Sequence, residues 1–518
     1  MTLHRLSHMA LASVALCLSS AGIAQDDAAT SAIPLPSKQQ EDFLKAAGAS
    51  ITRGPGPTIS SGVNVKSLPP DSRYFALTQG DKSVRQPLQS ANELIILLDP
   101  KLQGPEIQKA IADNRLDLIE TLPQIGAIVV DASRRLDGKI AATASTSVAE
   151  AKASALGQLV ETLSKDERFI SVTPNAVISS FQLRSAVEPT PPPPIIGAAS
   201  ERSDWGIADI HADQFWGKMT TPIKIGVVDV GFAKHEDIDA EKALPGPLQS
   251  NDHGNHVAGI MCAKHNGIGV RGVLKNCTVV ESSGALMLVG GAGVEGSGTS
   301  PFVAKFSEYL ATVLEFIDQR PDIRVINLSL GYNWMPNFNI DPRVPGADSV
   351  RNDVRGQGRI FATVLASAKR KDIAIVMAAG NDSSTLAKPL EAEWASPFSF
   401  GSRLIEKADG WSNGVIVEAY GSDHHRPSFS NVGGNVACPG VDVTSALASS
   451  PKAYGLMSGT SMASPYCAAG LAAIRWLRPE LSLRDAIGCM MSGPDKIDDR
   501  IPRLNLAYAI MQCKIAKP

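Results

Sequence analysis

Three short polar motifs carry the side chains needed to cleave an amide by nucleophilic attack. Ser461 lies in Gly459-Thr460-Ser461-Met462-Ala463-Ser464-Pro465, His253 in His253-Gly254-Asn255-His256-Val257-Ala258-Gly259, and Asp229 just ahead of Val230-Gly231. A serine hydroxyl is a poor nucleophile until a neighbouring base takes its proton. Imidazole titrates near neutral pH and suits that task. A carboxylate would hold the imidazole in the proper tautomer and stabilise the imidazolium without accepting the proton itself. Ser461 opens a helical run of small residues, and a helix N-terminus turns backbone N–H groups toward a developing oxyanion.

The elements around these motifs follow one pattern. Residues 223–228 form a continuous apolar strand, as a sheet covered on both faces requires, and 279–280, 325–330, 373–378 and 415–417 repeat it. Helical stretches intervene at 253–263, 305–316 and 361–370. Strands alternating with helices predict an α/β fold with a doubly wound, mostly parallel sheet, whose sites form at the carboxyl ends of the strands. Asp229 ends the first such strand, and His253 and Ser461 open helices.

Ahead of this region the chain divides further. Residues 1–24 read as a signal peptide, with Arg5 as the positive end, an apolar run at 9–18, and Gly22-Ile23-Ala24 before a cleavage point at Gln25. Leu16 is bulky where a lipid-anchored Cys17 would need a small residue, so release without a membrane anchor is expected, to the periplasm or the medium. Residues 25–90, rich in Ser, Pro, Gly and Gln, read as a poorly structured leader. Residues 91–181 alternate strand and helix (93–98, 106–114, 125–130, 149–163, 169–172) and predict a small α+β domain. Residues 182–203 contain the run of prolines 191–194 and form a stiff linker open to proteolysis. Residues 204–518 make the large domain.

Bulk properties narrow the function classes. The 518 residues carry a formal net charge of -3, so no basic face for nucleic acid is implied. No tract after the N-terminus is apolar enough to span a bilayer. Of seven cysteines, all but Cys17 remain after signal cleavage, an even number suited to an oxidising compartment. Cys262 with Cys277 and Cys489 with Cys513 are the expected pairs, while Cys438 and Cys467 are either paired or simply buried.

The three motifs, in the order Asp, His, Ser, resemble those of the subtilases, and the resemblance runs from Trp205 to the C-terminus. It implies a subtilisin-like serine endopeptidase with Asp229, His253 and Ser461 as the triad. Met377-Ala378-Ala379-Gly380-Asn381 resembles the family's oxyanion-hole segment, with Asn381 donating from its side chain and Ala379 and Gly380 beside the substrate. Read alone, Asn381 merely ends a strand, with Gly380 permitting the turn. Ser329-Leu330-Gly331 matches the strand lining the primary pocket, and Gly296-Ser297-Gly298 the edge that pairs with an extended polypeptide substrate.

No cofactor is implied for the chemistry itself. A structural Ca2+ is implied by Asp237 and the loop carrying Asn266, Ile268 and Val270; the other reading is a solvated acid and an ordinary Gly turn. His253 and His256 also have zinc-like spacing, but in this motif one is catalytic and the other a packed helix residue. Val172-Thr173-Pro174-Asn175 resembles the end of a subtilase propeptide, which would assist folding, block the cleft and be cut off between residues 180 and 203. The alternative is an ordinary accessory domain. A monomer is expected.

Several positions depart from the family pattern. Val230 replaces a hydroxyl residue, Asn255 a threonine and Tyr466 a histidine, while 332–353 and 391–414 add residues expected as loops near the cleft. Two rival readings remain from other classes. One is a nucleotide-binding enzyme, from the GxGxxG match at 291–296 with Asp318 or Asp322 as the later acid. The other is a noncatalytic secreted binding protein on a subtilase scaffold.

Overall fold

A computed structural model describes residues 33–51, 74–76, 88–136, 148–179, 195–196, 200–229, 231–242, 252–282, 287–288 and 302–513. Its first helix, α1 (Lys38–Ser50), falls in the stretch expected to be poorly structured. Composition misled there because the helix is held by a tertiary partner. Leu44 and Gln40 are buried, Gln40 Nε2 donates to the Asp99 carbonyl at 2.9 Å, and Thr121 Oγ1 donates to the Leu44 carbonyl at 3.0 Å.

The small α+β domain comprises β1 (Leu88–Leu98), α2 (Gly104–Asp113), β2 (Asp117–Leu122), β3 (Ala127–Asp131), α3 (Val148–Leu163) and β4 (Phe169–Ser179). Its strands are antiparallel in the order β4-β1-β3-β2. β2 was not expected, since only Leu122 within it is fully covered. The apolar run in β1 is continuous because both faces are buried. Leu94, Ile96 and Leu98 pack with Ile107, Leu156 and Leu163 of the small domain. Ile95 and Leu97 pack into a core shared with the large domain.

The large domain contributes β5 (Ile223–Val228), β6 (Ala240–Lys242), α4 (Asp252–Cys262), β7 (Cys277–Ser282), β8 (Phe302–Lys305), α5 (Phe306–Gln319), β9 (Val325–Leu328), α6 (Asp348–Arg370), β10 (Ala374–Ala378), α7 (Pro397–Asp409), β11 (Gly414–Tyr420), β12 (Val436–Pro439) and α8 (Thr460–Leu477). Seven of these strands form one parallel sheet in the order β12-β11-β10-β9-β5-β7-β6. Alternate residues serve opposite faces. Ile225, Val227, Val376 and Val417 meet α4 and α8. Val228, Ile326, Ile375 and Ile416 meet α5, α6 and α7. This is the doubly wound α/β arrangement expected from the strand and helix alternation. β8 joins the other sheet, pairing antiparallel with β4 through Val303↔Ser179, Ala304↔Ile178 and Lys305↔Val177.

Two segments expected as loops are largely regular. Residues 391–414 contain α7, capped by the Ser396 side chain with Pro397 in its first turn. Phe398 and Ile405 bury one side of it. Residues 332–353 hold the start of α6 and a π-helical turn, Trp334–Phe338. There the buried rings of Tyr332 and Trp334 stack with centroids 4.1 Å apart. In both segments aromatic burial supplies the stabilisation that a solvated loop would lack.

Disulfides join Cys262–Cys277, Cys438–Cys467 and Cys489–Cys513. The first ties the end of α4 to the start of β7, and the second ties β12 to α8. Among the described residues, no helix is long and apolar enough to cross a membrane.

Candidate active site

β5 delivers Asp229 to the carboxyl edge of the sheet, where its N–H donates to the Ser282 carbonyl at 3.1 Å. His253 stands in the first turn of α4, and its Nδ1 lies 2.7 Å from Asp229 Oδ1. Both side chains are buried. That bond assigns the proton on Nδ1 and leaves Nε2 as the basic nitrogen.

Ser461 is the second residue of α8, a helix whose small residues let it run through the core. A chain of hydroxyls and amides fastens its first turn to the end of β9. Ser464 Oγ donates to Asn327 Oδ1 at 2.7 Å. Asn327 Nδ2 donates to Ser329 Oγ at 3.0 Å, and Ser329 Oγ donates to the Ser461 carbonyl at 3.0 Å. Ser461 Oγ itself donates to the Ser329 carbonyl at 3.5 Å. That contact is at the weak limit for a hydroxyl.

Asn381 follows β10 through Gly380, whose φ of 99° favours glycine and where a Cβ would run into Asn431 Nδ2. The Asn381 side chain is oriented by what its oxygen accepts. Thr460 N–H and Thr460 Oγ1 both donate to Asn381 Oδ1, each at 2.9 Å. Thr460 Oγ1 in turn accepts from Gly380 N–H at 3.1 Å. With Oδ1 so engaged, Nδ2 must face the other way. It is buried and has no hydrogen-bond partner among the described residues. A buried N–H2 left open costs about 1–3 kcal/mol and is retained where a ligand supplies the acceptor.

Ser329 and Leu330 are buried beside this corner, Gly331 continues from them, and Ala379 and Gly380 approach from β10. Asn431 braces the second wall, donating to the Ala379 carbonyl at 3.0 Å and to Asp382 Oδ2 at 2.7 Å. Asp382 is buried, and desolvation pushes its carboxyl up to about 6. Asn333 links the two walls, its Oδ1 accepting the Asn381 N–H at 3.1 Å. Sequence reasoning missed Thr460, Asn431 and Asn333. Thr460 sits inside the serine motif and could have been found there; the other two are joined to the site only by the fold. Gly296, Ser297, Gly298, Val230 and the 291–296 glycine loop lie outside the described residues.

The two described departures from the family pattern have structural roles. Asn255 spans to the Ala233 backbone, accepting its N–H and donating to its carbonyl, both at 3.0 Å. Tyr466 donates to Asp204 Oδ1 at 2.6 Å. His256 is fully buried with Nε2 3.0 Å from the Val443 carbonyl, and burial lowers its pKa to about 3.

Asp237 is completely buried, and desolvation raises its carboxyl to about 7. Asn266 Nδ2 donates to its Oδ1 at 3.1 Å and Val270 N–H to its Oδ2 at 3.0 Å. Ile268 N–H donates to Asn266 Oδ1 at 3.0 Å. A second carboxylate, Glu201, accepts from Gly267 N–H at 3.0 Å on the same loop. Asp237, the Asn266 amide oxygen and loop carbonyls are oxygen donors of the kind Ca2+ takes, while Glu201 is paired with the Arg271 guanidinium. Glu201 was missed because it lies in the linker, far from the loop in sequence.

A parallel, doubly wound sheet with an Asp–His pair, a serine at a buried helix N-terminus and an open amide at its carboxyl edge defines a subtilisin-like hydrolase fold. The profile of the Subtilase family matches residues 220–493, more than half of the chain, and the chain belongs to that family. It is 27% identical over 288 residues to subtilisin BL of Lederbergia lenta, covering 54% of this chain and 86% of that one. It is also 27% identical over 288 residues to an alkaline protease of Alkalihalobacillus alcalophilus, of which the match spans only 61%. In fold it is similar to fervidolysin of Fervidobacterium pennivorans, a keratinolytic enzyme related to subtilisin. That likeness has a TM-score of 0.52 at 16% identity and covers 85% of this chain and 64% of that one.

Proposed function

We propose that this protein is a secreted serine endopeptidase made as a self-processing proenzyme. The observation that carries the reading is the Asn381 amide, its oxygen fastened to the residue before Ser461 and its nitrogen left open. Ser461 Oγ attacks the substrate carbonyl carbon while His253 Nε2 takes the hydroxyl proton. Asp229 holds the ring through Nδ1 and stabilises the imidazolium. The oxyanion receives hydrogen bonds from Asn381 Nδ2 and the Ser461 N–H. His253 then gives its proton to the leaving amine, and water attacks the acyl-enzyme by the same route in reverse.

The proenzyme reading is supported by how the small domain is seated. β4 adds to β8 as a polypeptide substrate would add to a sheet edge. Asn175 and Glu93 engage the start of α5, with Ser307 N–H donating to Asn175 Oδ1 at 3.1 Å and Lys305 Nζ 2.9 Å from Glu93. Cleavage between residues 180 and 203 would release that domain. A Ca2+ held by Asp237, Asn266 and the carbonyls of its loop would neutralise Asp237, beside the Glu201–Arg271 ion pair, and brace the segment behind α4. It takes no part in the bond cleavage.

A fluorophosphonate probe should label the processed wild type at Ser461 and leave Ser461→Ala unlabelled. Intact-mass measurement should find the secreted wild type cut in the 180–203 region and Ser461→Ala uncut. Absence of labelling after removal of the small domain would refute the hydrolase. Equal, full-length masses would refute self-processing.

A further inference from the structure

We propose that Asn333 is a specificity-determining residue, offering its side-chain amide to an uncharged hydrogen-bond acceptor, a Gln or Asn side chain, on the acyl side of the scissile bond. The inference rests on the pocket and oxyanion assignments above. Asn333 comes two residues after Gly331, at the end of one wall of that pocket. Through its Oδ1 it accepts the N–H of Asn381, at the end of the other wall. It therefore sits where the two walls meet.

That bond uses the oxygen of the amide and turns the nitrogen away from Asn381. Nδ2 is completely buried and has no hydrogen-bond partner among the described residues. The backbone adds a second, independent sign of constraint. Asn333 is left-handed, with φ 48° and ψ 64°, between the stacked Tyr332 and Trp334. A left-handed non-glycine residue and an orphaned buried amide both oppose folding, and such features persist where binding uses them. Asn381, one bond away, has the same pattern of engaged oxygen and open nitrogen.

An N–H2 group asks for an acceptor, which a Leu side chain lacks and a Met thioether supplies only weakly. A carboxylate would supply one, but Asp382 lies beside the site, its Oδ1 accepting Met335 N–H at 3.0 Å, and opposes a second negative charge. An amide side chain meets the demand without charge. A site with a buried donor rejects the isosteric analogue that leaves the donor unpaired.

The test compares kcat/KM of the processed enzyme on quenched-fluorescence peptides differing only at the acyl-side residue. Gln and Asn peptides should exceed Met and Leu peptides by at least about tenfold. Asn333→Ala should bring that ratio near one. Asn333→Asp, which keeps an oxygen for the Asn381 N–H but loses the donor, should abolish the preference as well. Titration with a fluorophosphonate corrects each sample for active fraction and separates loss of preference from loss of the hydrolase. A wild type without the preference, or variants slowed equally on all four peptides, would overturn the assignment. If neither variant is recovered, the wild-type ratio decides.

Discussion

Asp237 and Asn381 are both buried polar side chains in loops that follow the parallel sheet's elements, yet they are treated oppositely. At Asp237 each carboxylate oxygen takes an N–H from the loop after α4, from Asn266 and Val270. At Asn381 the oxygen takes two donors and the nitrogen takes no acceptor among the described residues. Interiors tolerate few unsatisfied polar atoms, because each keeps its desolvation penalty with nothing in return. The satisfied carboxylate therefore belongs to the framework, and on the proposed function the half-satisfied amide is completed transiently by the oxyanion. The geometry of the corner agrees, since Thr460 couples the amide to the helix turn that carries Ser461.

The sharpest way to break this contrast is Asn381→Ala. Loss of one oxyanion donor, measured in a subtilisin, costs about 3–4 kcal/mol of transition-state stabilisation. We expect kcat of the folded enzyme to fall about 10²–10³-fold with KM little changed, and stability to fall by about 1–3 kcal/mol because the Thr460 N–H and hydroxyl lose their acceptor. A kcat of the folded enzyme within about tenfold of the wild type would mean that the amide is structural after all. Asp237→Ala should behave in reverse. It strands the Val270 N–H and the Asn266 amide, and we expect a loss of about 2–4 kcal/mol in unfolding experiments, with the kcat of the remaining folded enzyme intact. Added Ca2+ should raise the wild-type Tm, by about 2.7 kcal/mol of stabilisation at a hundredfold excess over its Kd, and leave Asp237→Ala unmoved.

The contrast also marks where sequence reasoning succeeds. The strands of the main sheet were legible because burial on both faces forces runs such as 374–378 to be wholly apolar. Asp229, His253 and Ser461 were legible because the chemistry restricts residue type and the fold restricts local spacing. α1 and α7 were not, since their polar compositions look like loops and only distant partners make them helices. The Ser396-Pro397 cap and the terminal Gly410 were a usable signal for α7 that composition masked. Asn333 was illegible for a different reason. Its meaning comes from a bond to a residue 48 positions away, which nothing local encodes. The orientation of Asn381 likewise depends on Thr460, 79 positions on.

Asp353 sharpens the comparison, because it is an orphan with no evident ligand. It lies on α6 one turn before Gln357, whose Oε1 accepts the Tyr332 hydroxyl at 2.7 Å. Its Oδ2 is buried and has no partner among the described residues. Burial raises its carboxyl to about 8. An unfolded Asp titrates near pH 3.9, so between about pH 4 and pH 8 the unfolded chain has lost a proton that the folded one keeps. Unfolding then releases a proton, and stability falls as pH rises through that window, levelling off once the folded carboxyl ionises as well. Asn has the same shape and no charge to desolvate. Asp353→Asn should therefore gain stability over the wild type as pH increases, by about 1–2 kcal/mol at pH 9 after local relaxation. Thermal melts of the Ser461→Ala background across pH 5–9 would measure it without autolysis. The same substitution in the active enzyme should leave kcat/KM unchanged, because Asn keeps the shape of the side chain behind Gln357, which holds the Tyr332 hydroxyl. A parallel loss of activity would mean that an unsatisfied buried atom marks function wherever it occurs, and the distinction between the two loops would have to be drawn elsewhere.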